Sequence, residues 1–170
     1  MPRLLFNLIA FEVGWLACVL GGSLIGILSA GMIIAVHLAW LARPGEWRWL
    51  AGFVALGLIV DGGLALAGGF TFAPPLEGPL PLPLWLWTLW PLFATLLHHS
   101  LAWLWRYPAL ATLAGAVGGP LSYFGGSQLA GIDLAFWLLP TQAVIWALLC
   151  LGLSLRLGDR PHPVDRDVAG

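Results

Sequence analysis

Residues 84–107 read LWLWTLWPLFATLLHHSLAWLWRY, a run that is long enough and apolar enough to cross a bilayer. About 20 apolar residues at ~1.5 Å each span the hydrocarbon of a membrane. Aromatic residues stand at both ends of the run, as they do at the two interfaces of membrane helices. They are Trp85, Trp87 and Trp90 at one end and Trp103, Trp105 and Tyr107 at the other. The run therefore predicts a membrane helix, although it also carries polar residues that lipid alone does not favour: Thr88, Pro91, Thr95, His98, His99 and Ser100.

The whole chain has the composition of a polytopic membrane protein. Hydrophobic residues make up 60% and charged residues 9% of its 170 residues, and the mean hydropathy is +0.92. Soluble domains carry about 25% charged residues. We therefore expect an all-α membrane helix bundle over residues 1–157 and a disordered cytoplasmic tail over 158–170. The net charge of -1 gives no reason to expect a nucleic-acid partner.

Six apolar runs follow one another along the chain, at 4–20, 23–42, 48–69, 84–105, 109–128 and 132–156. Arginine decides their orientation, because the cytoplasmic loops of membrane proteins carry an excess of positive residues. With six spans and a cytoplasmic N-terminus, all 7 arginines fall on the cytoplasmic side. The sequence thus predicts six transmembrane helices with both termini in the cytoplasm.

The predicted outer link over 70–83 reads FTFAPPLEGPLPLP and is rich in proline. Proline cannot continue a helix, because it lacks the backbone donor and its ring clashes with the preceding turn. We expect a stiff apolar cap at the headgroups, with a lid over a ligand site as the alternative.

Small residues spaced four apart predict where membrane helices approach closely. The fifth run has two such stripes, and we expect other helices to pack on both. They are Ala114, Gly118, Ser122 and Gly126, and beside them Ala111, Gly115 and Gly119. In the third run Asp61 shares a face with Gly57 and Ala65, so its carboxylate should face the bundle interior.

Ionisable groups within spans are rare and by default mark function. Counted from the span centres, Glu12, His37 and His99 lie at similar depth near the middle and cytoplasmic side, whereas Asp61 lies toward the outer side. The first three are candidates for a proton relay or a metal site. No H-x-x-H or H-x-x-x-H spacing supports a metal, so we expect neither metal nor cofactor, and interhelical hydrogen bonds are the simpler role.

Two sets of site residues follow from these positions. The candidate catalytic residues are His99, Glu12 and His37. The candidate ligand-binding residues are Asp61, Thr95, His99, Trp103, Ser122 and Tyr123. On a helix His98 and His99 point about 100° apart, so we expect only one of them to matter, and His99 shares its face with Thr95 and Trp103.

Several segments together resemble the bacterial inner-membrane family DUF2878. They are FATLLHHSLAWL at 93–104, PLWL at 83–86, GPLSY at 119–123, and the single residues Asn7, Phe11, Trp15 and Asp61. The resemblance covers nearly the whole chain except the tail. It implies a multi-pass protein of the bacterial inner membrane with a lipid-related role, and no mechanism. In the family pattern the histidine before Ser-Leu-x-Trp corresponds to His99, whereas Glu12 stands where another polar residue is frequent.

We therefore expect a bundle that binds or transports an amphipathic small molecule, such as a lipid or a fatty-acyl species. A membrane-embedded enzyme or accessory subunit in fatty-acyl or phospholipid modification is the alternative. A third interpretation, a substrate-capture subunit of an energy-coupling transporter, rests on size and topology alone. The expected partners are the lipid bilayer, the amphipathic ligand and other membrane proteins.

Overall fold

The structure, a computed structural model, describes residues 2–73 and 81–158, which are mostly helical. Its helices are α1 (Pro2–Val36), α2 (Trp47–Leu66), α3 (Leu84–Ala94), α4 (Pro108–Ala130) and α5 (Leu138–Leu157). A π-helical turn, His37–Leu41, continues α1, and a 3₁₀ turn, Leu104–Arg106, precedes α4. Strands β1 (Phe70–Thr71) and β2 (Asp133–Leu134) pair antiparallel. The predicted outer cap around Glu77 and the predicted tail from residue 159 onward lie outside the described residues.

Helix α1 consists of two arms that fold back on each other at Gly22. The backbone of Gly22 is left-handed, with φ 66° and ψ -164°, a conformation that costs little without a Cβ. The rings of Phe6 and Trp40 lie 5.3 Å apart, and Cys18 Sγ lies 3.7 Å from the carbonyl oxygen of Gly26. The arms therefore run antiparallel, as expected for the first two apolar runs.

Three helices of the described residues are long and apolar enough to cross a membrane: Pro2–Leu41, which contains both arms, Trp47–Leu66 and Leu138–Leu157. Helix α4 has 23 residues but is less apolar, because glycine, serine and proline are frequent in it. Helix α3 has 11 residues, too few to span the hydrocarbon alone. The chain is thus a helical protein whose apolar helices fit a membrane.

The single helix predicted over 84–105 is wrong, because α3 ends at Ala94 and turns follow up to the 3₁₀ turn. Irregular backbone at membrane depth is tolerated only where protein groups satisfy its hydrogen bonds. Trp105 supplies one such group, since its Nε1 donates to the carbonyl of Leu97 at 2.7 Å.

Asn7 in α1 supplies the second group. Its Nδ2 donates to the carbonyl of Thr95 at 3.1 Å, and its Oδ1 accepts from Ser100 Oγ at 2.7 Å. These bonds hold the turns against the first arm of α1. As a result Thr95, His99 and Trp103 do not share one helical face, contrary to the prediction.

One of the two small-residue stripes in α4 packs as predicted. A Cβ at Gly119 would collide with the ring of Trp146 in α5, and a Cβ at Gly115 would collide with the Trp146 carbonyl. Close approach of α4 and α5 therefore depends on this stripe. The other stripe faces a cavity and reaches the first arm of α1 only at Ser122 and Gly126, which lie close to Trp15. Its residues are Ala114, Gly118, Ser122 and Gly126.

Candidate functional site

The carboxylate of Glu46 lies between two histidines. Its Oε2 is 3.1 Å from Nε2 of His37 and 3.0 Å from Nε2 of His99. The two imidazole rings are 5.0 Å apart and almost perpendicular. His37, Glu46 and His99 are 2%, 5% and 11% exposed, so the cluster is shielded from solvent.

Each member of this His–Glu–His cluster lies next to the end or the beginning of an α-helix. His37 starts the π-helical turn, a conformation that recurs at functional sites. Glu46 follows a proline-glycine turn in which its amide donates to the carbonyl of Arg43 at 3.1 Å and Gly45 takes φ 89°, the pattern of a type II turn. His99 lies in the turns after α3. Three separate departures from helical geometry thus bring the side chains together.

The cluster favours an ionised Glu46. Burial raises the pKa of the Glu46 carboxyl, but hydrogen bonds with His37 and His99 and the nearby charge of His99 lower it by more, so the pKa lies well below the usual range. An ionised carboxylate only accepts hydrogen bonds, so both imidazoles donate to it. Among the described residues, Glu46 Oε1 and His37 Nδ1 are buried without a hydrogen-bond partner.

The structure brings together two of the three residues that the sequence groups as candidates. His37 and His99 do converge, but the carboxylate that joins them is Glu46, whereas Glu12 is exposed and lines the cavity described below. Sequence reasoning misses Glu46 because it considers only ionisable groups within spans. The available signal is the Pro-Gly pair directly before Glu46, which predicts a tight turn nine positions from His37.

His98 has different surroundings from His99. Its ring packs edge-on against Trp49, with the centroids 5.6 Å apart. It also contributes to the wall of a cavity of about 580 Å³ at the arginine-rich end of the bundle, together with Arg43, Arg48 and Arg156. Glu46 belongs to the same wall, so the His–Glu–His cluster borders this arginine-lined cavity.

A second, apolar cavity of about 550 Å³ lies between the first arm of α1, α3 and α4. Its walls are mostly aliphatic and aromatic side chains. The polar side chains among them are Glu12, Ser122, Tyr123 and Ser127, apart from the indoles. Along α1 the lining runs from Leu8 to Val19, a rise of about 16 Å at ~1.5 Å per residue. The cavity is therefore elongated along the helices.

The apolar cavity opens sideways. Its exposed lining residues all belong to the first arm of α1 or to α4: Leu8, Glu12, Ala114, Gly118, Leu121 and Ser122. Beyond the Cα of Gly118 there is open space within 4 Å. Trp15 Nε1 donates to Ser122 Oγ at 3.1 Å and so links the two helices across the opening.

Asp61 joins α2 to three other helices. It is 0% exposed and accepts hydrogen bonds from Trp90 Nε1 at 2.7 Å, from the Tyr123 hydroxyl at 2.7 and 2.8 Å, and from Gln142 Nε2 at 3.2 Å. The prediction that it faces the interior is confirmed. Because protein donors occupy both of its oxygens, the carboxylate acts in this structure as a centre of helix packing.

The other predicted ligand-binding residues have separate locations. Ser122 and Tyr123 line the apolar cavity. Thr95 is buried, and its hydroxyl donates to the carbonyl of Leu92 at 2.7 Å. Trp103 is 56% exposed and lies on the surface of the bundle. The structure thus distributes the predicted residues over the cavity, the His–Glu–His cluster, the core and the surface.

Comparison with known proteins gives one match. A family model with the description "Protein of unknown function (DUF2878)" matches residues 4–151, which include the His–Glu–His cluster, Asp61 and the walls of the apolar cavity. No curated protein and no solved structure matches the chain. Because the match covers most of the chain and agrees with the resemblance carried by its sequence segments, the chain belongs to the DUF2878 family.

Proposed function

We propose that this protein is a six-span protein of the bacterial inner membrane that binds or transports an amphipathic molecule, with the apolar chain of that molecule in the cavity between α1, α3 and α4. A lipid or fatty-acyl species has the required chemistry. The observation that carries the proposal is the cavity itself, which is large, elongated, apolar and open to one side.

The dimensions of the cavity fit such a ligand. Its volume of about 550 Å³ is typical of small-molecule sites, which are mostly apolar with a few polar groups that fix orientation. A cavity about 16 Å long accommodates most of an extended acyl chain. The bound chain would cover the apolar walls in place of the tails of membrane lipids. Glu12 and Ser122 are the polar groups available to orient it, because the hydroxyl of Tyr123 is bound to Asp61.

Helix packing supports six spans with one orientation. Arg3 lies over the ring of Trp40 at 5.8 Å, and Arg156 lies over Trp49 at 5.6 Å. The start of α1, the end of its second arm, the start of α2 and the end of α5 therefore meet at one end of the bundle. This end carries the described arginines, as the cytoplasmic side of a bacterial membrane protein does, and β1 and β2 lie at the other end.

Membrane-embedded catalysis in fatty-acyl or phospholipid modification is the second candidate, because one observation favours it. A carboxylate between two imidazoles is an arrangement that can accept and pass protons. None of these three residues lines the apolar cavity, however, so a chain held there does not touch them. Binding or transport therefore explains more of the structure than catalysis does.

Photolabelling tests the proposal. A fatty acid with a diazirine in the middle of its chain is added to membranes that contain the protein, irradiated, and located by mass spectrometry of peptides. We expect the label on the two walls of the cavity, on peptides that contain Phe11 or Ser122. Label spread evenly over all lipid-facing helices contradicts the proposal.

A matched pair of variants strengthens the test. Gly118 and Gly52 are both exposed helical glycines with open space where a Cβ would be, but only Gly118 lines the cavity. Gly118→Leu should therefore block the opening and reduce labelling several-fold. Gly52→Leu should leave labelling unchanged, and both variants should remain folded, since replacing a helical glycine removes a cost of about 0.5–1 kcal/mol.

A further inference from the structure

The carboxylate of Glu46 is nearly buried between two imidazoles. The described residues that form ion pairs with this carboxylate are His37 and His99, and an imidazole is positive only when protonated. A buried carboxylate beside neutral partners is costly, and a cation held directly against it removes that cost. The three side chains together present one carboxylate oxygen and two ring nitrogens to such a cation.

We propose that His37, Glu46 and His99 bind a divalent transition-metal cation such as Zn²⁺, with Nε2 of each histidine and a carboxylate oxygen of Glu46 as ligands. Two imidazoles and one carboxylate form a ligand set that zinc uses in proteins. The three ligand atoms all lie within 4.8 Å of one another. This inference goes beyond the proposed ligand-binding function and does not depend on the apolar cavity.

The distances need only small changes to hold an ion. With metal–ligand bonds of about 2.0–2.2 Å, tetrahedral coordination separates the ligand atoms by about 3.3–3.5 Å. The two separations between Glu46 Oε2 and the histidine nitrogens are 3.1 and 3.0 Å. Both separations need to widen by about 0.2–0.5 Å to reach this range. The remaining pair of ligand atoms lies within 4.8 Å.

The second oxygen of Glu46 supports a metal over a purely hydrogen-bonded cluster. Among the described residues, this Oε1 is buried without a hydrogen-bond partner. Two histidine donors on Oε2 leave it unused, and an unpartnered buried acceptor is costly. A metal ion gives it a role, because a carboxylate can coordinate through either oxygen or through both.

Glu46 connects the His–Glu–His cluster with the arginine-lined cavity. Three protein ligands leave one tetrahedral position open for water or another ligand. Glu46 belongs to the wall of the cavity of about 580 Å³ that also contains Arg43, Arg48 and Arg156. Their guanidinium groups favour an anion or an oriented water as the fourth ligand.

Metal analysis of the whole protein tests this inference. The full chain, purified in detergent with a tag that contains no histidine, is stripped with a chelator, loaded with Zn²⁺ or Co²⁺, desalted, and measured by elemental mass spectrometry. We expect one ion per chain and, with Co²⁺, the visible absorption of a tetrahedral nitrogen and oxygen site. Wild-type protein that remains metal-free after loading overturns the inference, and this result needs no variant to fold.

Variants locate the site. Glu46→Gln and His99→Ala should lower the zinc affinity by more than the roughly 10- to 100-fold that loss of an outer-shell partner costs. His98→Ala is the matched control, because it removes the adjacent imidazole from the same segment and should bind zinc as wild type does. Zn²⁺ should raise the melting temperature of wild type and of His98→Ala but not of Glu46→Gln. Equal binding by wild type and Glu46→Gln places the metal elsewhere and also overturns the inference.

Discussion

The hydroxyl of Tyr123 lies 2.7 and 2.8 Å from the two carboxylate oxygens of Asp61, at the boundary between the apolar cavity and the bundle core. The tyrosine ring lines the cavity while its hydroxyl holds a carboxylate behind the wall. Trp90 donates to the same carboxylate and stacks on Trp146 at 5.2 Å. The Asp61 carboxylate therefore both holds a residue of the cavity wall and joins four helices.

Replacement of Asp61 by leucine should destabilise the bundle. The change leaves the donors of Trp90, Tyr123 and Gln142 without an acceptor, and each lost interhelical bond costs about 0.6 kcal/mol, up to about 1.7 kcal/mol. We expect a total loss of about 2–5 kcal/mol, measured by thermal unfolding in detergent. Asp61→Asn keeps an acceptor oxygen and should lose less. Equal melting temperatures for wild type and Asp61→Leu contradict the central role of this carboxylate.

Neighbouring glycines in α4 should respond in opposite ways to a larger side chain. Gly119→Val forces a methyl group into the ring of Trp146 and should cost about 1–3 kcal/mol, as overpacking does. Gly118→Val extends into open space and should leave the melting temperature close to that of wild type. Thermal unfolding in detergent checks both variants. A larger loss of stability for Gly118→Val than for Gly119→Val shows that the faces of α4 are assigned wrongly.

Removal of the Asn7 amide should loosen the turns after α3. Asn7→Leu leaves the carbonyl of Thr95 and the hydroxyl of Ser100 without this partner, while its size and the apolar face of α1 are retained. We expect faster hydrogen exchange in residues 95–103 and little change in α5, measured by mass spectrometry. Leu5→Ala, an exposed position on the same arm, is the control. Unchanged exchange in the turns means that Asn7 does not hold them.

Reporter fusions check the proposed orientation. A fusion at Gly78, which lies outside the described residues, should be periplasmic, and a fusion after Gly158 should be cytoplasmic. The physical reason is the location of the arginines at one end of the bundle. A periplasmic C-terminal fusion is incompatible with six spans and a cytoplasmic N-terminus.

Local sequence patterns predict the helices and part of the interior. Apolar runs predict the arms of α1 and helices α2 and α5, because helix length and hydrophobicity are properties of a continuous segment. The burial of Asp61 follows from the glycine and alanine on its face. The end of α3 does not follow, because no glycine or proline follows Ala94 before Pro108 to stop the helix. The partner that replaces a helical bond at Thr95 comes from Asn7, 88 positions away.

Two parts of the candidate site depend on which residues of other helices pack against them. A single sequence does not contain this information. Gly118 and Gly119 are neighbouring glycines in stripes of small residues, yet a Cβ at Gly118 meets open space and a Cβ at Gly119 meets the ring of Trp146. Glu46 lies in a loop, where carboxylates are usually solvated. Only the folded arrangement of His37 and His99 around it makes it a buried member of a cluster.

The separation of Glu46 and His99 by 53 positions affects the order of events during biosynthesis. At about 5–20 residues per second, His99 leaves the ribosome about 3–10 s after Glu46. During this interval the nascent hairpin of α1 and the start of α2 can already join His37 to Glu46, but the second imidazole partner of that carboxylate is still missing. The His–Glu–His cluster is therefore completed late, only when the segment that follows α3 has been synthesised and has packed against α1.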